Sequence, residues 1–157
     1  MTKKDRVKYL FMDVDGTLTN GQLNIGNDGE VFKSFYCRDG LGILRANQRG
    51  ITPIIITSRK SEIVEQRARE LNIEHVFQGL NEKKIDQMEK IVQQFNIEKG
   101  EIAYIGDDIN DLECMQISDI VGCPQDSVNE VKKVATYICK HKGGEGAVRE
   151  FIDWILE

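Results

Sequence analysis

Short apolar runs that are continuous rather than alternating recur along this chain, and stretches of helical period separate them. A strand that is apolar at every position must be covered on both faces, and that happens in parallel sheets with helices above and below. The runs predict strands at 7–12, 51–57, 75–77, 101–105, 119–122 and 136–139. The intervening periodicity predicts helices at 40–49, 62–71, 82–95, 111–117, 128–134 and 146–156, with Ser127 and Glu130 as a capping box for the fifth. Strand and helix in alternation define an α/β fold: a doubly wound, Rossmann-like parallel sheet with helices on both faces. Residues 19–35 break the rhythm. They lack a helical period and alternate loosely around Asn27-Asp28-Gly29, a turn signal, so a small β-hairpin flap is expected after the first strand.

The chain has 157 residues, enough for one domain with a real core, and residues 1–157 are read as a single domain without a cap. It carries 21 basic and 26 acidic residues, a net charge of -5, with no basic stripe interleaved with aromatics. Nucleic acid is therefore not an expected partner. The start, MTKKDRVKYLFMDVD, is basic but its apolar run is broken by Asp13, unlike a secretory leader. The longest apolar run elsewhere, ITPIIIT, is too short to span a bilayer, so no membrane partner is expected. Cys37, Cys114, Cys123 and Cys139 show no C-x-x-C spacing and are read as buried free thiols of a cytoplasmic protein.

The first apolar run ends in Asp13 and Asp15, and the run ending at Ile105 leads into Asp107, Asp108 and Asp111. In open parallel sheets ligands bind beyond the carboxyl ends of the strands, where adjacent strands would bring both clusters to one edge. Two like charges 4 Å apart repel by about 4 kcal/mol at a surface-like dielectric, so converging carboxylates call for a hard divalent cation. Magnesium suits a few carboxylates, water and a substrate phosphate. Thr57 and Ser58 end another strand at the same edge. Lys83 and Lys84 fall in the first turn of a helix, where the macrodipole disfavours cations by roughly 0.3–1 kcal/mol unless an anion is near. Periodicity places Lys84 closer to the apolar stripe of Met88, Ile91 and Phe95, and spacing alone leaves the choice of lysine open.

Asp-x-Asp-Gly-Thr, then Thr/Ser at a strand end, Lys, and Gly-Asp-Asp-x-x-Asp, in that order, resembles the haloacid dehalogenase superfamily of phosphohydrolases. FKSFYCRDGLGI, ITSRKSEIVEQRARELNI, FQGLNEKK and KGGEGAVREFIDWIL extend the likeness to the capless subfamily of 3-deoxy-D-manno-octulosonate 8-phosphate phosphatases. The resemblance implies a magnesium-dependent phosphatase of a small-molecule sugar-acid phosphate, working through an aspartyl phosphate. It implies Asp13 as nucleophile and Asp15 as general acid and base. Asp13, the Asp15 carbonyl and Asp107 would hold Mg2+, with Asp111 behind them. Thr57 would hold the transferring phosphoryl group, and the family spacing selects Lys83. Arg38, Asp39, Gly40, Ser58, Arg59 and Arg67 match positions around the sugar acid. The subfamily forms homotetramers in which a neighbour covers each site, and the tail from Gly143 is expected near an adjacent active site.

Leu44 stands where relatives often have Lys or Arg, and TSRK replaces TGRK. The resemblance implies that Arg59-Lys60 favours the eight-carbon acid, since some nine-carbon-specific relatives carry an acidic residue in that stretch, while Leu44 weakens the case and keeps sialic-type nine-carbon 9-phosphates as the alternative. A signalling receiver domain shares the residue types but places its acceptor aspartate after the third strand. From composition, Gly143-Gly144 reads equally as a backbone anion site or as a hinge. His75 and His141 read as surface residues, and Trp154, Phe151 and Ile155 as packing of the last helix.

Overall fold

The computed structural model describes residues 2–157. Eight strands form: β1 (Tyr9–Met12), β2 (Asn24–Gly26), β3 (Gly29–Phe32), β4 (Thr52–Ile56), β5 (His75–Phe77), β6 (Ile102–Ile105), β7 (Ile120–Cys123) and β8 (Tyr137–Ile138). The helices are α1 (Cys37–Gln48), α2 (Glu62–Glu70), α3 (Lys84–Gln94), α4 (Leu112–Gln116), α5 (Asn129–Val134) and α6 (Ala147–Leu156). Six strands make one parallel sheet in the order β5-β4-β1-β6-β7-β8, while β2 and β3 pair antiparallel beside it. Counting only the parallel strands, the order is 3-2-1-4-5-6. That is the doubly wound dinucleotide-type arrangement, whereas receiver domains have 2-1-3-4-5. The sheet order removes the receiver reading.

Side chains along a strand point alternately to the two faces, so each apolar run feeds two cores. Leu10, Met12 and Ile55 pack with Ile43 of α1, Val64 of α2 and Phe151 of α6. Phe11, Ile54 and Ile56 pack on the other face with Met88 and Ile91 of α3, Met115 of α4 and Val131 of α5. Asn72 and Asn96 adopt positive φ just past α2 and α3, the left-handed conformation that ends a helix. The β2–β3 hairpin turns at Asn27-Asp28, between the paired Gly26 and Gly29.

Several local expectations are corrected. Helix α1 starts at Cys37, three residues earlier than its apolar period suggests, which places Arg38, Asp39 and Gly40 in its first turn. Helix α3 starts at Lys84, with Lys83 as its extended N-cap. The Ser127–Glu130 capping box does not form: Val128 is the N-cap of α5, and the Ser127 hydroxyl donates to the Pro124 carbonyl at 2.8 Å. A reciprocal cap forms instead at Asp108 and Asp111, around a 3-10 turn at Ile109–Asp111. Cys37 is exposed, while Cys114, Cys123 and Cys139 are buried, all four without a disulfide.

Candidate active site

Strand β1 sits between β4 and β6 in matched register, Met12 opposite both Ile55 and Ile105. The chain order reverses between β1 and β6, and that switch point opens a crevice at the carboxyl ends. Asp13 follows Met12 directly, its N–H donating to the Ile105 carbonyl at 3.1 Å. Thr57 follows Ile56, and Asp107 lies two residues beyond β6. A cleft of about 140 Å³ is lined by Asp13, Asp15, Thr57, Ser58, Arg59, Asp107, Asp108 and Asn110. The sheet thus gathers residues from three distant segments.

The loop after β1 needs glycine at position 16. Gly16 has φ +96°, and a Cβ there would stand 2.1 Å from an Asp107 carboxylate oxygen. Only a residue without a side chain lets the two acidic loops approach this closely. Thr17 then donates from Oγ1 to Asp107 Oδ1 at 2.9 Å.

Lys84, not Lys83, is the lysine at this cluster. Its Nζ lies 2.7 Å from Asp13 Oδ1 and 2.8 Å from Asp111 Oδ1, with its side chain 2 % exposed. Lys83 points away and meets Glu113 at 3.1 Å with its side chain 71 % exposed. The physical reason is the helix start. Lys83 is the N-cap outside the stripe, and Lys84 is the first helical residue, four positions before Met88 on the buried face. Tyr104 Oη donates to Asp111 Oδ1 at 2.6 Å, and the N–H groups of Asp107 and Asp108 reach Asp111 Oδ2 at 3.0 and 3.2 Å. Asp111 is therefore fully engaged by donors.

Asp13, Asp107 and Asp111 each offer an oxygen within 4.8 Å of the others. Burial first, and then Asp111, pushes the Asp13 carboxyl well above the usual range despite Lys84. Burial, with Asp111 adding, raises Asp107 to about 6. For Lys84, burial pulls the other way, but Asp13 and Asp111 prevail and the ammonium is held above its ordinary value. Three carboxylates against one ammonium leave negative charge unbalanced. Lys84 occupies one oxygen of Asp13 and Thr17 one of Asp107, which leaves an oxygen on each for a cation. An all-oxygen donor set of this kind fits a hard divalent ion.

The remaining expected site residues are split. Ser58 and Arg59 line the cleft with the carboxylates. Asp39, Gly40 and Arg67 border a separate apolar crevice with Phe35 and Leu18, and Arg38 borders a hollow of about 560 Å³ between α1 and α6. Arg67 lies over the Phe35 ring and pairs with Glu70. Asp39 accepts the Arg149 N–H at 2.8 Å through Oδ1, while its buried Oδ2 has no partner among the described residues. Burial raises Asp39 to about 6.

The folded chain therefore keeps the Asp39 proton to about pH 6, whereas an unfolded chain releases it near 4. More protons are bound in the folded state across that window, so stability falls as pH rises through it, by up to about 3 kcal/mol. Urea midpoints of Asp39→Asn and the parent chain should diverge in favour of the variant from pH 4 to 6 and then run parallel. A constant difference throughout would show that Asp39 does not carry this proton.

Three participants escaped the sequence reading. Asn110 lies between Asp108 and Asp111 and reaches the cleft through the 3-10 turn. Tyr104 is a hydroxyl-bearing residue in an otherwise apolar strand, a signal that was available. Lys33 reaches Asp15 Oδ1 at 2.6 Å from beyond β3, a contact that depends on how the hairpin folds back and leaves no trace in local pattern.

Fold and cluster together define a doubly wound α/β protein whose switch point gathers carboxylates, a buried lysine and a threonine into a set that fits a hard cation. Residues 37–117 match the family model of haloacid dehalogenase-like hydrolases. The 3-deoxy-D-manno-octulosonate 8-phosphate phosphatase of Salmonella typhi is 37% identical over 156 residues, covering 99% of this chain and 82% of that protein. Among solved structures, the phosphatase of the same name from Moraxella catarrhalis, crystallised with magnesium ion, phosphate ion and a KDO molecule, aligns with TM-score 0.93 and 38% identity. That alignment covers 98% of this chain and 88% of that one. A cobalt-bound deoxy-D-mannose-octulosonate 8-phosphate phosphatase from Haemophilus influenzae gives TM-score 0.93 and 35% identity, covering 99% and 90%. The chain belongs to the haloacid dehalogenase-like hydrolase family.

Proposed function

We propose that the chain is a magnesium-dependent phosphatase that hydrolyses 3-deoxy-D-manno-octulosonate 8-phosphate. The observation that carries this reading is the convergence of Asp13, Asp107 and Lys84 beside Thr57 at the sheet's switch point. The relatives and solved neighbours bearing that activity in their names support the eight-carbon acid.

Asp13, the Asp15 carbonyl and Asp107 would hold Mg2+, with Asp111 fixed behind them by Tyr104 and Lys84. When bound, the ion neutralises charge on the phosphoryl group and allows a dianion to approach carboxylates. Thr57 holds the transferring phosphoryl group, and Ser58 and Arg59, which line the same cleft, meet the substrate beside it. An oxygen of Asp13 attacks phosphorus and the P–O ester bond breaks, giving an aspartyl phosphate. Asp15 passes its proton to the leaving sugar oxygen. It then takes a proton from the water that attacks phosphorus, which releases inorganic phosphate and restores Asp13. Lys84 stays hydrogen-bonded to Asp13 and Asp111 and offsets part of their negative charge.

The same reading gives a single capless domain that assembles as a homotetramer in the cytoplasm. Leu23, Ile25, Val31 and Phe32 are exposed on the hairpin, apolar surface that a second copy would cover. Arg38 and Arg67 lie away from their own chain's cleft and would serve a neighbour's sugar-acid site. Unpaired thiols agree with a reducing compartment, and among the described residues no helix is long and apolar enough to cross a membrane.

Phosphate release should be measured with magnesium across eight- and nine-carbon 2-keto-3-deoxy sugar-acid phosphates. The 8-phosphate of the eight-carbon acid should give the highest kcat/KM, and chelation should abolish release. Preference for a nine-carbon 9-phosphate would overturn the substrate assignment, and no release from any member would overturn the activity.

A further inference from the structure

Lys33 stands out among the charged residues of the hairpin segment. The hairpin is largely exposed, yet the Lys33 side chain, one residue past β3, is 3 % exposed. A buried ammonium needs partners, and Lys33 has two carboxylates: Asp15 Oδ1 at 2.6 Å and Glu30 Oε1 at 2.8 Å. Among the described residues it is the only side-chain donor to the Asp15 carboxyl. Glu30 in turn accepts from the Ser61 hydroxyl, and the Ser61 N–H is held by Gln78 Oε1 at 2.9 Å. Ser61 closes the loop that begins at Thr57. The chain of contacts Asp15–Lys33–Glu30–Ser61 therefore ties the loop after β1 to the loop after β4, with the hairpin as the bridge.

Resting on the phosphatase reading above, we infer that Lys33 is a positioning residue: it holds one oxygen of Asp15 so that the other faces the leaving oxygen of the substrate. A carboxyl on a flexible loop can rotate and donate its proton to water. Fixing Oδ1 removes that freedom, and the tie to Ser61 sets the distance between the proton donor and the groups that grip the phosphoryl oxygens.

The prediction separates esters by their need for a proton. An alkyl sugar phosphate leaves as an alkoxide unless it is protonated, whereas p-nitrophenolate leaves as a stable anion. First-turnover release of sugar acid and of p-nitrophenol should be compared, with saturating magnesium, in Lys33→Met, Lys33→Arg and Asp15→Asn. Lys33→Met should slow sugar release by about 10- to 100-fold and p-nitrophenol release by less than about threefold, a part of the roughly 10²- to 10⁴-fold that positioned proton transfer contributes. Lys33→Arg should restore most of the loss. Asp15→Asn should show the same asymmetry, enlarged.

If Asp15→Asn shows the asymmetry while Lys33→Met slows both esters equally or neither, the positioning role is wrong and the phosphatase reading stands. If Asp15→Asn itself lacks the asymmetry, Asp15 is not the proton donor and the inference falls with that assignment. Circular dichroism establishes that each variant is folded. Lys33→Gln replaces Lys33→Met if the latter is not, with the same expected ratio between esters.

Discussion

Exchanging Lys84 for methionine and Asp13 for asparagine should silence catalysis in both cases and move stability in opposite directions. On the proposed mechanism Asp13→Asn removes the attacking oxygen, and turnover should fall by about 10⁴-fold or more, as for other nucleophile deletions. Lys84→Met removes a preformed positive charge beside the transferring group, a loss of about 10²- to 10³-fold. The stability argument rests on the charge count. With all groups ionised, Lys84 is one ammonium among three clustered carboxylates. Taking it away leaves buried anions uncompensated, which costs about 3–5 kcal/mol, or roughly 10 °C in Tm for a chain of this size. Asp13→Asn removes one of the mutually repelling anions and leaves Lys84 paired with Asp111. In metal-free protein its Tm should equal or exceed that of the parent. Lys83→Met is the control: its partner Glu113 is itself half exposed, and such surface changes stay within about 0.5 kcal/mol. Calorimetry in a chelator, with phosphate release measured in magnesium, reads all three. A dead Lys83→Met beside an active Lys84→Met would restore the lysine that family spacing selects.

The lysine question shows how far a sequence of this kind carries. The two acidic loops announce themselves because an apolar strand cannot end in carboxylates without a reason, and parallel pairing of β1 with β6 then leaves them nowhere to go but the same edge. Period also favoured Lys84, since the 3.6-residue repeat aligns position 84 with Met88 and Ile91. Family spacing points to the neighbouring position, and the helix start, which no local signal settles, is what places Lys84 rather than Lys83 beside Asp13 and Asp111. Asp39, Gly40 and Arg67 illustrate a different gap. Matching a motif gives residue identity but not where the fold carries it, and within the chain these three lie beside Phe35 rather than Asp13. Lys33 was illegible for a third reason: a two-stranded hairpin carries no core of its own, so where its end lands is decided by tertiary contacts.

The last fifteen residues carry the other large effect. Within the chain, residues 143–157 are neither a free arm nor an anion cradle. The Gly143 N–H donates to Asp126 Oδ1 at 3.0 Å and that of Gly144 to the Thr17 carbonyl at 3.2 Å, so this loop braces the loop that follows β1 and carries Asp13 and Asp15. Helix α6 then buries Ala147, Val148, Phe151, Ile152 and Ile155 in the core shared with α1. Losing side chains of this class costs about 2–5 kcal/mol each, and a whole domain has only about 5–15 kcal/mol in hand. Deleting residues 143–157 should therefore unfold the chain rather than raise KM, visible as loss of the cooperative thermal transition. A point change isolates the brace from the core. A Cβ on Gly143 would lie 2.0 Å from the Gly16 carbonyl oxygen and 2.9 Å from that of Thr19, both backbone atoms. The loop holding Asp13 and Asp15 must shift to admit it. A displacement near 1 Å costs about 100-fold in rate, so Gly143→Ala should lower kcat by about that factor on both alkyl and aryl esters. It should do so while keeping a cooperative transition, because the packing of α6 is untouched. A fully active Gly143→Ala would mean that the tail and the loop after β1 move independently, and a folded, active truncation would mean that α6 lies outside the cooperative core.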